Sequence, residues 1–265
     1  GFTDFDNKTG GLRPGDLVIV AGRPSMGKTT LAVNMAEYAA VSPDSKSSVA
    51  IFSMEMPAEQ LVTRMLASIG HVPLNSIRSG RISDDDWVRI TAATSQLSEA
   101  KIFIDESPAL TPTDLRARAR RLKREHGLHL VVVDYLQLMQ VPGTKENRAT
   151  EIAEISRGLK SLAKELQVPV IALSQLNRAV EQRNEKKPVM SDLRESGSLE
   201  QDADMILLIY RDEVYDKNTT KKGMAEIDLA KHRNGETGTF LLTFQGQYAR
   251  FVNYAPDTYA EGVLR

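Results

Sequence analysis

The sequence predicts an α/β fold: a mostly parallel β-sheet with helices on both faces and an antiparallel extension at its C-terminal end. Three observations predict it. Short, almost continuously apolar runs bounded by turn residues recur along the chain, as strands buried on both faces require. Segments of helical period lie between them. After Tyr210 the texture changes to strand-like stretches joined by short glycine-containing turns.

In chain order, the apolar runs are LVIVA (17–21), VAIFS (49–53), IFID (102–105), LVVVD (130–134), VIALS (170–174) and MILLIY (205–210). The clearest helix is RATEIAEISRGLKSLAKELQ, where Ile152, Ile155, Leu159, Leu162 and Leu166 step by three and four down one face that should lie on the sheet. The basic stretch RARARRLKREH (116–126), preceded by Leu115, reads as an outer helix: Leu115, Ala119 and Leu122 make its apolar stripe and the cations fan over solvent. DLAKHRNGETGTFLLTFQGQYARFVNY reads as two or three strands turning at Asn234-Gly235 and Gly246. Two polar connections, 140–149 and 178–201, are long enough to suggest functional loops.

At 265 residues the chain is expected to form a single domain with a substantial core, residues 1–265. Opening on Gly1 rather than methionine, it reads as a piece of something longer. With 41% hydrophobic and 26% charged residues it has ordinary globular usage, and no apolar run approaches the ~18 residues of a membrane span. Cysteine is absent, which removes disulfide frameworks and thiolate metal sites and suits a reducing, cytoplasmic compartment. The net charge of −1 means that any nucleic acid must be met by local positive potential.

GRPSMGKTT, between the first strand and a helical run, has the spacing G-x-x-x-x-G-K-[ST]. Gly22 and Gly27 let the backbone of this stretch, including Ser25, Met26 and Thr30, curl so that N–H groups face phosphate oxygens. Lys28 then reaches the β and γ phosphates of a nucleotide, and Thr29 offers its hydroxyl to Mg²⁺. Asp134 ends a buried strand, where a carboxylate can hold the metal through water, and Glu55 follows another strand as the residue to polarise attacking water.

The array GRPSMGKTT, FSMEM, VVVDYLQLM, ALSQLNR, DLRESGSLEQDAD and KHRNG resembles the C-terminal motor domain of DnaB-type replicative DNA helicases, ring-shaped hexamers with a RecA-like core. The resemblance covers practically the whole chain. It implies an ATP hydrolase that translocates on single-stranded DNA, 5′ to 3′, as a homo-hexamer, with primase and a helicase loader as partners, at the bacterial replisome. It implies that Glu55 is the water-activating acid, Asp134 the metal-associated one, and Arg64 an arginine that approaches the nucleotide. Gln175, ending the fifth strand, is implied to sense the γ-phosphate. Lys231 and Arg233 are implied to cross the subunit boundary, the arginine as a finger on the neighbour's ATP. Arg194, Glu195 and Gly197 are implied to meet single-stranded DNA through its backbone, and the earlier loop with Lys145 and Arg148 could add charge. One departure is Glu236, where the family commonly has proline after KHRNG.

Two other functions stay open on the sequence. A RecA- or RadA-type recombination ATPase shares the core, but the KNRFG-like signature and zinc-binding cysteines of the RadA type are missing from these 265 residues. A clock or signalling ATPase of the same superfamily would have no DNA substrate; DLRESGSLEQDAD argues against it by resemblance.

Overall fold

A computed structural model describes residues 1–43, 45–141, 148–193 and 197–255. After a short helix α1 (Thr3–Thr9), the strands β1 (Leu17–Gly22), β2 (Ser48–Ser53), β3 (Ile102–Asp105), β4 (Leu128–Asp134), β5 (Val170–Gln175) and β6 (Met205–Tyr210) take up all six apolar runs. They are joined by α2 (Lys28–Val41), α3 (Ala58–Gly70), α4 (Leu74–Ser79), α5 (Asp84–Glu99), α6 (Pro112–His126), α7 (Arg148–Leu166) and α8 (Gly197–Asp202). Then β7 (Met224–His232), β8 (Gly238–Gln245) and β9 (Arg250–Asn253) follow without a helix between them. The sheet order is β3-β2-β4-β5-β1-β6-β7-β8-β9, parallel from β3 to β6 and antiparallel from β6 to β9.

Each strand feeds two cores. Leu17, Ile19 and Ala21 of β1 pack on one face with Leu115 and Ala119 of α6 and the predicted stripe of α7, Ile152, Ile155, Leu159, Leu162 and Leu166. Val18 and Val20 pack on the other with Leu31 of α2 and Leu61 and Met65 of α3. β3 differs from the expectation of full burial: all four residues are half-buried, because it is an edge strand. The last hairpin turns differently too, since the left-handed residue is Ala249 (φ 48°) and not Gly246. The basic helix α6 is a charge-paired outer helix: Arg116 and Arg120 meet Glu165, and Arg118 meets Asp105.

On the opposite face of the sheet, Glu37 of α2 is buried against α3. Asn34 Nδ2 (3.1 Å) and Ser68 Oγ (2.7 Å) donate to its Oε2, and Oε1 has no partner. Burial pushes this carboxyl up to about 8, opposed by the two donors. Unfolded, it titrates near 4.5, so the folded chain keeps a proton that the unfolded chain releases. The stability tied to the neutral acid is complete below about pH 4.5 and is lost as the pH rises through about 8. Glu37→Gln is therefore expected to gain on the wild type as pH rises, by on the order of 2 kcal/mol at pH 8.5, or about 5 °C in Tm. Parallel melting curves at pH 5 and 8.5 check this; a constant gap would refute it.

Candidate nucleotide-binding site

Parallel pairing brings the chemistry to one edge. Gly22 of β1 lies opposite Gln175 of β5, and Ser53 of β2 opposite Asp134 of β4, so four strand ends align at the C-terminal rim of the sheet, where α/β proteins bind ligands. The phosphate loop leaves β1 through Ser25 (φ 67°) and Gly27 (φ 98°), both left-handed. A Cβ at Gly27 would approach the Phe251 ring to 2.8 Å, so glycine is required there for space as well as for conformation. Met26 and Thr30 are buried and anchor the loop below.

Lys28 Nζ donates to the carbonyls of Gly22 (2.9 Å) and Arg23 (3.2 Å), inside its own loop. Thr29 Oγ1 donates to Asp134 Oδ2 at 2.9 Å. Asp134 is buried, and this lifts its carboxyl to about 6, with the Thr29 hydrogen bond opposing and the Glu55 charge adding. Burial lowers Lys28 to about 8 against the attraction of Asp134 and Glu55. Glu55 is exposed just past β2, where Met54 N donates to the Asp134 carbonyl (2.8 Å) and holds the two strand ends together. Arg64 on α3 is half-buried; burial holds its guanidinium below the usual value, and Asp134 and Glu55 attract it. Gln175 presents a half-buried amide with no hydrogen-bond partner among the described residues.

The implied residues do not all gather here. Met205 pairs with His232, so Lys231 and Arg233 lie beside the start of β6, at the opposite end of the sheet from the phosphate loop. Both reach the C-terminal carbonyls of α8: Lys231 donates to those of Glu200 and Gln201, Arg233 to that of Gln201 (2.8 Å), and Arg233 also faces buried Asp204 at 3.5 Å. Gly197 is exposed at the start of α8 with open space where a Cβ would be, so the fold itself does not demand glycine. Arg194, Glu195 and Lys145 lie outside the described residues. Arg148, read with the loop that could add charge, stands at the start of α7, where it pairs with Glu151 and donates to the Gln137 carbonyl (2.6 Å).

Four residues of this edge were not singled out from the sequence. Gln137 ties β4 to β5, its Oε1 accepting from Gln175 N (3.2 Å) and its amide donating to Ser174 Oγ (3.0 Å). Arg211 donates to the Ser25 carbonyl (2.9 Å), lies 3.7 Å from the Phe244 ring and pairs with Glu213. Arg23 and Glu181 are paired at 2.9 Å. The available signal was a polar or charged residue interrupting an apolar run, in YLQLM and LLIYR, or the lone cation in GRPSMG.

Set beside known proteins, residues 1–253 match the family described as DnaB-like helicase C terminal domain. The chain belongs to that family. It is 58% identical over 261 residues to the replicative DNA helicase DnaB of Buchnera aphidicola subsp. Schizaphis graminum, covering 98% of this chain and 56% of that protein. The replicative DNA helicase DnaC of Bacillus subtilis is 53% identical over 254 residues, with 96% and 56% covered. This DnaB-like chain thus spans just over half the length of the curated relatives it matches. A solved structure described as an ATPase domain superposes with a TM-score of 0.91 at 39% identity, covering 96% of this chain and 90% of that one. A DnaB-like replicative helicase described with its interactions with primase gives the same score and identity over 61% of its own length. The RecA-like core is thereby shown. Among the described residues of this DnaB-like domain, no helix is long and apolar enough to cross a membrane.

Proposed function

We propose that the chain, as a single motor domain, drives a replicative DNA helicase: six copies in a ring hydrolyse ATP and move 5′ to 3′ along single-stranded DNA. The observation that carries this reading is the division of the site. Phosphate loop, Asp134, Glu55, Arg64 and Gln175 meet at one sheet edge, while Lys231 and Arg233 stand toward the other, roughly 10 and 16 Å away along the strands, a placement that suits them to a neighbouring copy's nucleotide. The family and the 53–58% identical replicative helicases support it. Contact with primase is proposed from the structural relative, and contact with a loader from the same family reading.

Lys28 would neutralise the β and γ phosphates and Glu55 would take the proton of the water that attacks the γ-phosphorus as the bond to the β-phosphate oxygen breaks. The donors fit Mg²⁺: Thr29 Oγ1 and Asp134 Oδ2, 2.9 Å apart, are hard oxygens, and among the described residues no group of three or more ligating side chains could hold a metal alone. Such a pair suits an ion completed by phosphate and water. Thr29 and Asp134 would hold it, and it would supply charge neutralisation at the phosphates. Gln175 would donate its amide to the γ-phosphate and lose that partner on hydrolysis, a differential contact able to bias the DNA segment.

Phosphate binding needs Lys28 charged and Asp134 ionised. With Asp134 at about 6 and Lys28 at about 8, kcat/KM for ATP is expected to fall below about pH 6 and above about pH 8. Lys28→Arg should carry the alkaline limb upward, since arginine stays protonated. A profile flat from pH 5 to 9 would count against the assignment.

The function is tested by measuring ATP turnover with and without single-stranded DNA, then strand separation on a forked duplex. Stimulation with unwinding is expected. Turnover indifferent to DNA would point to a signalling ATPase, and stimulation without unwinding to a recombination ATPase.

A further inference from the structure

The phosphate loop and the segment after β5 are joined by one arginine. Gln175 sits opposite Gly22 in the sheet, and Leu176 N donates to the Gly22 carbonyl at 3.5 Å. The next loop residue, Arg23, sends its buried guanidinium across: NH1 donates to the Leu176 carbonyl (2.7 Å) and Nε to Glu181 Oε1 (2.9 Å). Its own carbonyl accepts from Lys28. A single planar fork thus grips the backbone next to Gln175 and a carboxylate five residues on.

The segment it grips is closed on itself. Leu176 bridges antiparallel to Leu193, and Asn177 N donates to the Asp192 carbonyl at 2.8 Å. Asp192 accepts from Arg183 (2.6 Å) and from Val189 N (2.7 Å). Among the described residues, Arg23–Glu181 is the one ion pair between this closed segment and the phosphate loop. Its stem ends at Leu193, next in sequence to Arg194.

We propose that Arg23 and Glu181 are a positioning pair: they fix Gln175 against the phosphate loop and make the loop and residues 176–193 move as one body, so that nucleotide state reaches the DNA-facing end of the segment. This rests on the motor reading above. The two side chains touch neither Lys28 Nζ nor Thr29 Oγ1, and the Lys28 contact with Arg23 is to its backbone carbonyl, so nucleotide binding survives loss of the ion pair while the link to DNA does not. The guanidinium is 7% exposed and Glu181 43%, which makes Glu181→Gln the substitution that leaves the fold intact and Arg23→Lys the stricter companion, since an ammonium cannot span both acceptors.

The test uses the full-length protein and a fluorescein-labelled oligo-dT, with Kd read by anisotropy in ATPγS and in ADP, and with KM and kcat measured in parallel. In Glu181→Gln the ADP-to-ATPγS ratio of Kd is expected to shrink toward one by about threefold to tenfold, with KM for ATP within about twofold of wild type and DNA stimulation of kcat reduced. Arg23→Lys should shrink the same Kd ratio; the unchanged KM is required of Glu181→Gln alone, since Arg23 belongs to the phosphate loop. A wild-type ratio retained in Glu181→Gln would overturn the pair's role, as would a raised KM with DNA stimulation intact, which marks a part that merely shapes the loop. Equal affinities already in the wild type would instead remove the motor reading, and the proposal with it.

Discussion

Lys28→Ala is expected to lower ATP turnover by about three orders of magnitude while the chain stays folded. The size follows from where the ammonium sits. It is half-buried, at the start of α2, and in range of two acids, so water screens its charge less than at an open surface. Without it the developing negative charge would face the carbonyls of Gly22 and Arg23, which Lys28 now occupies, and these are acceptors. The fold does not depend on it, because those two hydrogen bonds stay within the loop and the core beneath is carried by Met26 and Leu31. Steady-state hydrolysis beside a circular dichroism spectrum decides it; near-normal turnover would withdraw the phosphate loop from catalysis.

Arg233→Ala should be nearly as severe, about 10³-fold or more, yet for a reason no single protomer contains. The register that pairs Met205 with His232 places Arg233 at the far end of the sheet from its own loop, held by the Gln201 carbonyl and Asp204. Two inactive variants therefore make an informative mixture. If the finger works on a neighbour, a ring assembled from Lys28→Ala and Arg233→Ala copies contains interfaces with an intact loop on one side and an intact arginine on the other, about one in four at equal mixing. Turnover should reappear on mixing. If it stays at the level of the separate variants, Arg233 acts within its own chain or not at all.

The parallel part of the sheet was legible because burial on both faces leaves a local record: six apolar runs, six strands. The exceptions are informative. β3 looked like the others in sequence but is half-buried, since apolar composition does not say which strand lies at an edge. Arg148 groups in sequence with the loop before it, whereas the start of α7 sets it against the Gln137 carbonyl, a contact that no local pattern announces. The positions of the phosphate loop, Asp134 and Glu55 at one sheet edge were readable because each stands at or just past the end of a buried apolar run, and the loop's own spacing marks a strand-loop-helix unit.

The sequence by itself determined the strands, the phosphate-loop motif after the first of them and the family, because each rests on contacts between residues close in the chain or on motifs whose spacing is their geometry. Only the tertiary structure decided that Lys231 and Arg233 face away from their own loop and that Arg23 reaches Glu181, 158 residues on. Strand order and register decide both, and they are set by packing between segments far apart in the chain.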